Sequence, residues 1–88
     1  MTAIKLNQNY PNPFNPTTTI KYSIVERGHV FLKVYNILGK LVATLIDNIQ
    51  DPGFYNVKFN GTNLSSGFYL YILSVNNYIS TNKMLLIK

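Results

Sequence analysis

Between Thr18 and Ile24 the apolar residues Ile20, Tyr22 and Ile24 alternate with Thr19, Lys21 and Ser23, the period of two that marks a strand with one buried face. The pattern returns after Glu26-Arg27-Gly28-His29, a turn, where Val30, Leu32 and Val34 face one way and Phe31, Lys33 and Tyr35 the other. The outer row of this second strand is itself aromatic. A third strand is predicted over Leu41 to Ile46, and a fourth sets Tyr55, Val57 and Phe59 against Phe54, Asn56 and Lys58. Phe68 to Val75 is apolar on both faces, which predicts a strand in the middle of its sheet with a neighbour on each edge. The last strand, Tyr78 to Lys88, alternates weakly and ends Lys83-Met84-Leu85-Leu86-Ile87-Lys88.

The segments between these strands carry turn chemistry. Asn36-Ile37-Leu38-Gly39-Lys40 predicts a tight corner in which Gly39 takes a positive φ. Asp47 to Gly53 reads as a turn closed by Asp51-Pro52-Gly53, with proline presetting φ and glycine free to turn left-handed. Asn60 to Gly67 is a loop rich in Asn, Gly and Ser, and Asn76-Asn77 closes a hairpin with two residues that tolerate positive φ. Asn60-Gly61-Thr62 and Asn63-Leu64-Ser65 match the N-glycosylation pattern and read here as turn residues. No amphipathic helix is present. Short strands broken by regular turn signals predict an all-β fold, an antiparallel β-sandwich of about seven strands in two sheets. Its expected core is Ile20, Tyr22, Val30, Leu32, Val34, Val42, Leu45, Tyr55, Val57, Phe59, Leu64, Tyr69, Tyr71, Leu73, Leu85 and Ile87.

Ahead of the first clear strand lies Asn9-Tyr10-Pro11-Asn12-Pro13-Phe14-Asn15-Pro16. Each proline fixes φ, lacks a backbone donor and pushes the residue before it toward extended geometry, so helix is excluded. A stiff N-terminal strap is expected, pinned to the sandwich by Tyr10 and Phe14. Pro13-x-x-Pro16 also matches a polyproline ligand, a pattern common by chance. Met1 to Gln8 is polar and unpatterned and reads as linker remnant, leaving 9–88 as the single domain. At the far end of the Asn60 to Gly67 loop, Leu64-Ser65-Ser66-Gly67-Phe68-Tyr69 resembles a tyrosine corner, in which a tyrosine hydroxyl bonds backbone a few residues upstream.

Composition narrows the function. The 88 residues allow one domain and one core, and no cysteine is present to staple it, so packing must carry the stability. Zero cysteine and the single His29, read as a solvated loop residue, leave no ligand set for a catalytic or structural metal. The only acids are Glu26, Asp47 and Asp51, and no nucleophile and base or Gly-rich phosphate loop is apparent, so no catalytic residues, no enzyme activity and no cofactor are expected. The net charge of +5 comes from lysines and one arginine spread singly along the chain, with no basic run, so no nucleic-acid partner is expected. No apolar segment approaches the roughly 18 residues of a membrane span, and Met1 to Leu6 lacks signal-peptide regions, so an export signal is expected on a longer parent.

Asn9 to Ile20, the run Leu32-Lys33-Val34-Tyr35-Asn36-Ile37-Leu38-Gly39-Lys40-Leu41-Val42, and Pro52-Gly53-x-Tyr55 occur here in one order. That order resembles the type A C-terminal sorting domains of type IX (Por) secretion cargo, over Asn9 to Lys88. The second run is also similar to the Ig-like domain of flagellar hook-capping proteins, and the resemblance implies that the sandwich is Ig-like, an antiparallel β-sandwich of about seven strands with an N-terminal Pro-rich strap. One departure lies in Asp47 to Gln50, where Asn and Ile stand in place of more charged residues. The resemblance implies a non-catalytic signal at the C-terminus of a periplasmic precursor, directing an N-terminally fused cargo domain across the outer membrane to the medium or the surface of a Gram-negative cell. It implies two partners, the type IX translocon and a sortase-like protease that cleaves just ahead of the domain, and then release or exchange for a surface anchor. The recognition residues it implies are Lys83, Met84, Leu85, Leu86, Ile87 and Lys88, on a last strand whose edge is open to another chain; the guarding of that edge against aggregation is the alternative role of the two lysines. Its structural positions here are Tyr10, Pro11, Pro13, Phe14, Pro16, Gly39, Gly53, Tyr55, Gly67 and Tyr69. Two other functions fit the residues: a sugar-binding or adhesive face built from Phe31, Tyr35, Phe54, Phe68 and Tyr78, and a structural spacer.

Overall fold

The computed structural model describes residues 4–88. Seven strands run in chain order: β1 (Ile4–Leu6), β2 (Thr17–Ile24), β3 (Gly28–Asn36), β4 (Leu41–Gln50), β5 (Gly53–Asn60), β6 (Gly67–Val75) and β7 (Tyr78–Leu86). They form an Ig-like sandwich of two antiparallel sheets, ordered β1-β2-β5 and β4-β3-β6-β7. The alternation read from β2, β3 and β5 is the alternation observed, with Ile20, Tyr22, Val30, Leu32, Val34 and Phe59 buried between the sheets. β6 lies between β3 and β7, as its two apolar faces require.

Turn chemistry holds the corners. Gly39 takes φ +84°, and the Asn36 side chain accepts hydrogen bonds from the amides of Leu38 and Lys40, each 2.9 Å. Asn76 takes φ +53° in the β6–β7 hairpin, a conformation asparagine tolerates. The hydroxyl of Tyr69 donates to the Ser65 carbonyl at 2.6 Å, the expected corner, and Tyr55 donates in the same way to Asp51 four residues upstream. Both tyrosines close a Gly-Phe-Tyr start to their strand, so β5 and β6 begin with one device.

Four expectations are corrected. Met1 to Gln8 was expected as linker, yet Ile4–Leu6 pairs with β2 and Ile4 is buried; Met1 to Ala3 lie outside the described residues. β4 continues through Asp47 to Gln50 where a turn was expected, because β3 extends to meet it, pairing Phe31 with Asp47 and Gly28 with Gln50. His29 is therefore a strand residue, 2.6 Å from Asp47. Two register shifts in the β3–β4 pair break the alternation of β4, so Val42 and Leu45 are only half-buried, together with Ala43 and Ile46.

The fourth concerns β7, where Leu85 and Ile87 were expected in the core. Met84 and Leu86 are buried instead, while Ile87 is 47% exposed. Four consecutive apolar residues leave the phase of this strand undetermined, and a slip of one residue exchanges its faces. Pairing decides it: Met84 lies opposite Tyr69, and Leu86 opposite Gly67. Leu86→Ala is expected to cost about 2–5 kcal/mol, as deletion of a packed leucine does, and Ile87→Ala less than about 1 kcal/mol. Urea denaturation of the two variants measures the difference, and equal losses would return the strand to the other phase.

Candidate functional site

The strap and the last strand meet at one end of the sandwich. The strap first follows β2, with Tyr10 and Thr19 exchanging backbone hydrogen bonds of 3.0 and 2.9 Å. It then crosses to the other sheet, where Phe14 bridges to Leu86 in parallel. Phe14 is buried and meets Phe59 edge-on at 6.0 Å between ring centroids. Gly61 permits this closure: a Cβ there would lie 3.0 Å from Leu86 and 3.5 Å from Phe14.

Tyr10, expected as the second anchor, is 79% exposed; its backbone is held and its ring is not. Asn9 is the buried residue in its place. Its amide N–H donates to the Tyr71 hydroxyl at 2.8 Å, and that hydroxyl donates to the Asn7 carbonyl at 2.8 Å. The Asn9 side chain donates to Thr18 Oγ1 at 3.0 Å and to the Pro11 carbonyl at 3.1 Å, and Thr18 Oγ1 donates to the same carbonyl at 2.8 Å. Asn9, Thr18, Tyr71 and Gly61 were not singled out from the sequence as anchors. Their only local signal was the placement of Asn and Thr around prolines, and their partners lie as far as 64 residues away.

The outer edge of β7 is occupied where recognition was expected. Gln8 Nε2 donates to the Lys83 carbonyl at 2.7 Å, the Leu85 amide donates to Asn12 Oδ1 at 3.0 Å, the Phe14 amide donates to the Leu85 carbonyl at 2.9 Å, and the Ile87 amide donates to the Phe14 carbonyl at 3.0 Å. β7 ends its sheet, but an open row of backbone groups at residues 83–87 is not what it presents. Met84 and Leu86 point inward, so the terminal residues that face outward are Lys83, Leu85, Ile87 and Lys88. Lys83 Nζ lies 4.9 Å from the centroid of Phe68, and Lys88 is tied to the preceding loop through Ser66 and Thr62.

The five aromatics expected to form one sugar platform do not converge. Phe31, Tyr35 and Phe68 project from the outer face of the larger sheet. Phe54 stands on the smaller sheet at 92% exposure, and Tyr78 lies beyond the hairpin opposite Val75. The ring of Phe31 is stacked by His29 at 4.4 Å and met by Lys33 Nζ at 4.8 Å. Among the described residues, no three His, Cys, Asp or Glu side chains gather as a metal site.

Two buried tyrosines carry shifted pKa values. Desolvation pushes Tyr22 up to about 12, with its hydrogen bond to Gln50 opposing and the stacked Tyr55 adding to the rise. Desolvation likewise raises Tyr71, opposed by its hydrogen bonds.

Such an assembly is an Ig-like β-sandwich module closed at one end by its own N-terminal strap. The chain belongs to the family of secretion system C-terminal sorting domains, whose model matches residues 8–88. This family comprises the type IX sorting signals, non-catalytic in general, and a protein bearing one is secreted or held at the cell surface through interaction with the type IX system. No curated protein and no solved structure matches the chain.

Phe14→Ala is expected to destabilise the domain by about 3–5 kcal/mol and Tyr10→Ala by less than about 1 kcal/mol, measured by denaturant midpoint. A raised folded-state pKa gives stability that is complete below the unfolded value and lost as pH climbs through the folded one. Stability is therefore expected to fall between the ordinary tyrosine value of 10.0 and about 12 on account of Tyr22. Thermal melts across that window check it, and Tyr22→Phe should flatten the decline.

Proposed function

We propose that this domain directs a cargo fused ahead of it, already in the periplasm, through the type IX translocon and across the outer membrane. The observation that favours this reading is the meeting of the strap with the terminal strand, which makes one rigid surface of two motifs drawn from opposite ends of a family-matched chain. Lys83, Leu85, Ile87 and Lys88 are the terminal residues a partner reads; Met84 and Leu86 hold the strand in place. The sorting unit is 9–88, and Ile4–Leu6 is an edge strand contributed by the segment leading into it. A sortase-like protease would cut ahead of Ile4, because cleavage needs an extended, accessible backbone and Ile4 is buried in a paired strand. The freed cargo is then released or joined to a surface anchor.

The sugar-binding alternative loses its physical basis with the dispersal of the five aromatics. The test is a fluorescent reporter carrying a periplasmic export signal and residues 1–88 at its C-terminus, expressed in a type IX-competent host and in the same host without the translocon. Delivery to the surface or medium is expected in the first and retention in the second. Equal delivery in both, or retention in both, would overturn the reading.

A further inference from the structure

We infer that the outer face of the β4-β3-β6-β7 sheet is a protein-docking surface, and that the partner presents apolar side chains with carboxylates set opposite Lys33 and Lys83. The inference deepens the sorting reading and rests on it only for the partner's identity as part of the secretion machinery. Cross-strand register places Phe31, Ser74 and Ile79 in one row, Lys33, Ile72 and Thr81 in the next, and Tyr35, Leu70 and Lys83 in a third. Phe68 and Leu85 pair beyond them. A shallow groove of about 320 Å³ runs between Phe31, Lys33, Tyr35, Ile72, Ser74 and Ile79. An apolar sheet face open to water is uncommon in a monomeric domain and marks a contact surface.

The chemistry of the occupant follows from the charges. Lys33 and Lys83 lie over the rings of Phe31 and Phe68, so both ammonium groups are held against the sheet. Asp47, opposite Phe31 on the same face, is already engaged by His29. Two fixed cations within an apolar field call for carboxylates on the partner. A second copy of this chain fits poorly, since its matching face offers the same two lysines and no unengaged carboxylate among the described residues. A carbohydrate fits poorly because the lysines and His29 already meet the aromatic rings.

The closed edge adds a second argument. With Gln8 and the strap bonded to the terminal segment at residues 83, 85 and 87, a partner meets this part of the chain through its outward side chains, and Lys83 and Leu85 belong to the face described. Recognition of the terminal strand is thereby recognition of a folded surface.

The test has two arms. In the first, the ¹⁵N-labelled domain is titrated with a short peptide of alternating leucine and glutamate. Amide shifts are expected at Leu70, Ile72 and Ile79, and the double variant K33E/K83E should bind about tenfold more weakly, as loss of complementary charge predicts. In the second, reporter fusions carry K33E/K83E or K21E/K58E, the latter making the same charge change on the smaller sheet, with thermal melts confirming that both fold. Delivery is expected to fail for K33E/K83E alone. Normal delivery of K33E/K83E, or equal failure of both doubles, overturns the inference, as does a peptide that shifts no amide on this face. Peptide binding to this face together with retention of the unaltered fusion would overturn the sorting reading and leave the docking face standing.

Discussion

The hydroxyl of Tyr71 decides where the chain passes from one sheet to the other. It donates to the Asn7 carbonyl and accepts from the Asn9 amide, so two backbone groups at the mouth of the sandwich are satisfied by one side chain of the central strand β6. A tyrosine hydroxyl and an asparagine buried without partners would each cost on the order of 1–3 kcal/mol, whereas here the hydroxyl of Tyr71 and the buried side-chain polar atoms of Asn9 and Thr18 are bonded. With Asn9 held, the strap has one course: along β2 to Tyr10, then over the open end of the sandwich to set Phe14 beside Phe59. The end of the core and the edge of β7 are closed by the same few residues.

That closure bears on how a signal domain can be read. An exposed terminal strand is a template for any extended chain, including another copy of itself, and a domain that must remain soluble during export has reason to cover it. Covering the edge with backbone and amide groups of the strap leaves the side chains of β7 outward and accessible. The specificity of recognition then shifts from generic backbone pairing to the arrangement of particular groups, chiefly Lys83 and Leu85 beside Phe68. Such a reading depends on a rigid frame, and the two tyrosine corners that start β5 and β6 help provide one in a domain without disulfides.

Charge is distributed unevenly over this frame. Arg27 pairs with Asp51 at 3.1 Å, and Glu26 lies in the same turn region, at the end opposite the strap. His29 and Asp47 sit a few residues along their strands. The end where strap and terminal strand meet carries Lys83 and Lys88 and no acidic side chain, so a cationic surface results from where the acids sit more than from any basic run.

The period of two in β2, β3 and β5, the doubly apolar β6, and the turn chemistry at Gly39 and Asn76 are local properties, and each was legible in the sequence because alternation and backbone preference act over neighbouring residues. The order of motifs carried the family for the same reason. The phase of β7 was not legible, since Met84, Leu85, Leu86 and Ile87 are equally apolar and only pairing with β6 selects which two are buried. Nor was the role of Asn9, whose polarity suggests solvent and whose burial depends on Tyr71, or the strand formed by Ile4–Leu6, which exists because β2 offers it a free edge. The occupation of β7 by Gln8, Asn12 and Phe14 belongs with these. It joins residues about seventy positions apart, and hydrogen-bond partners at that separation are chosen by the folded chain alone.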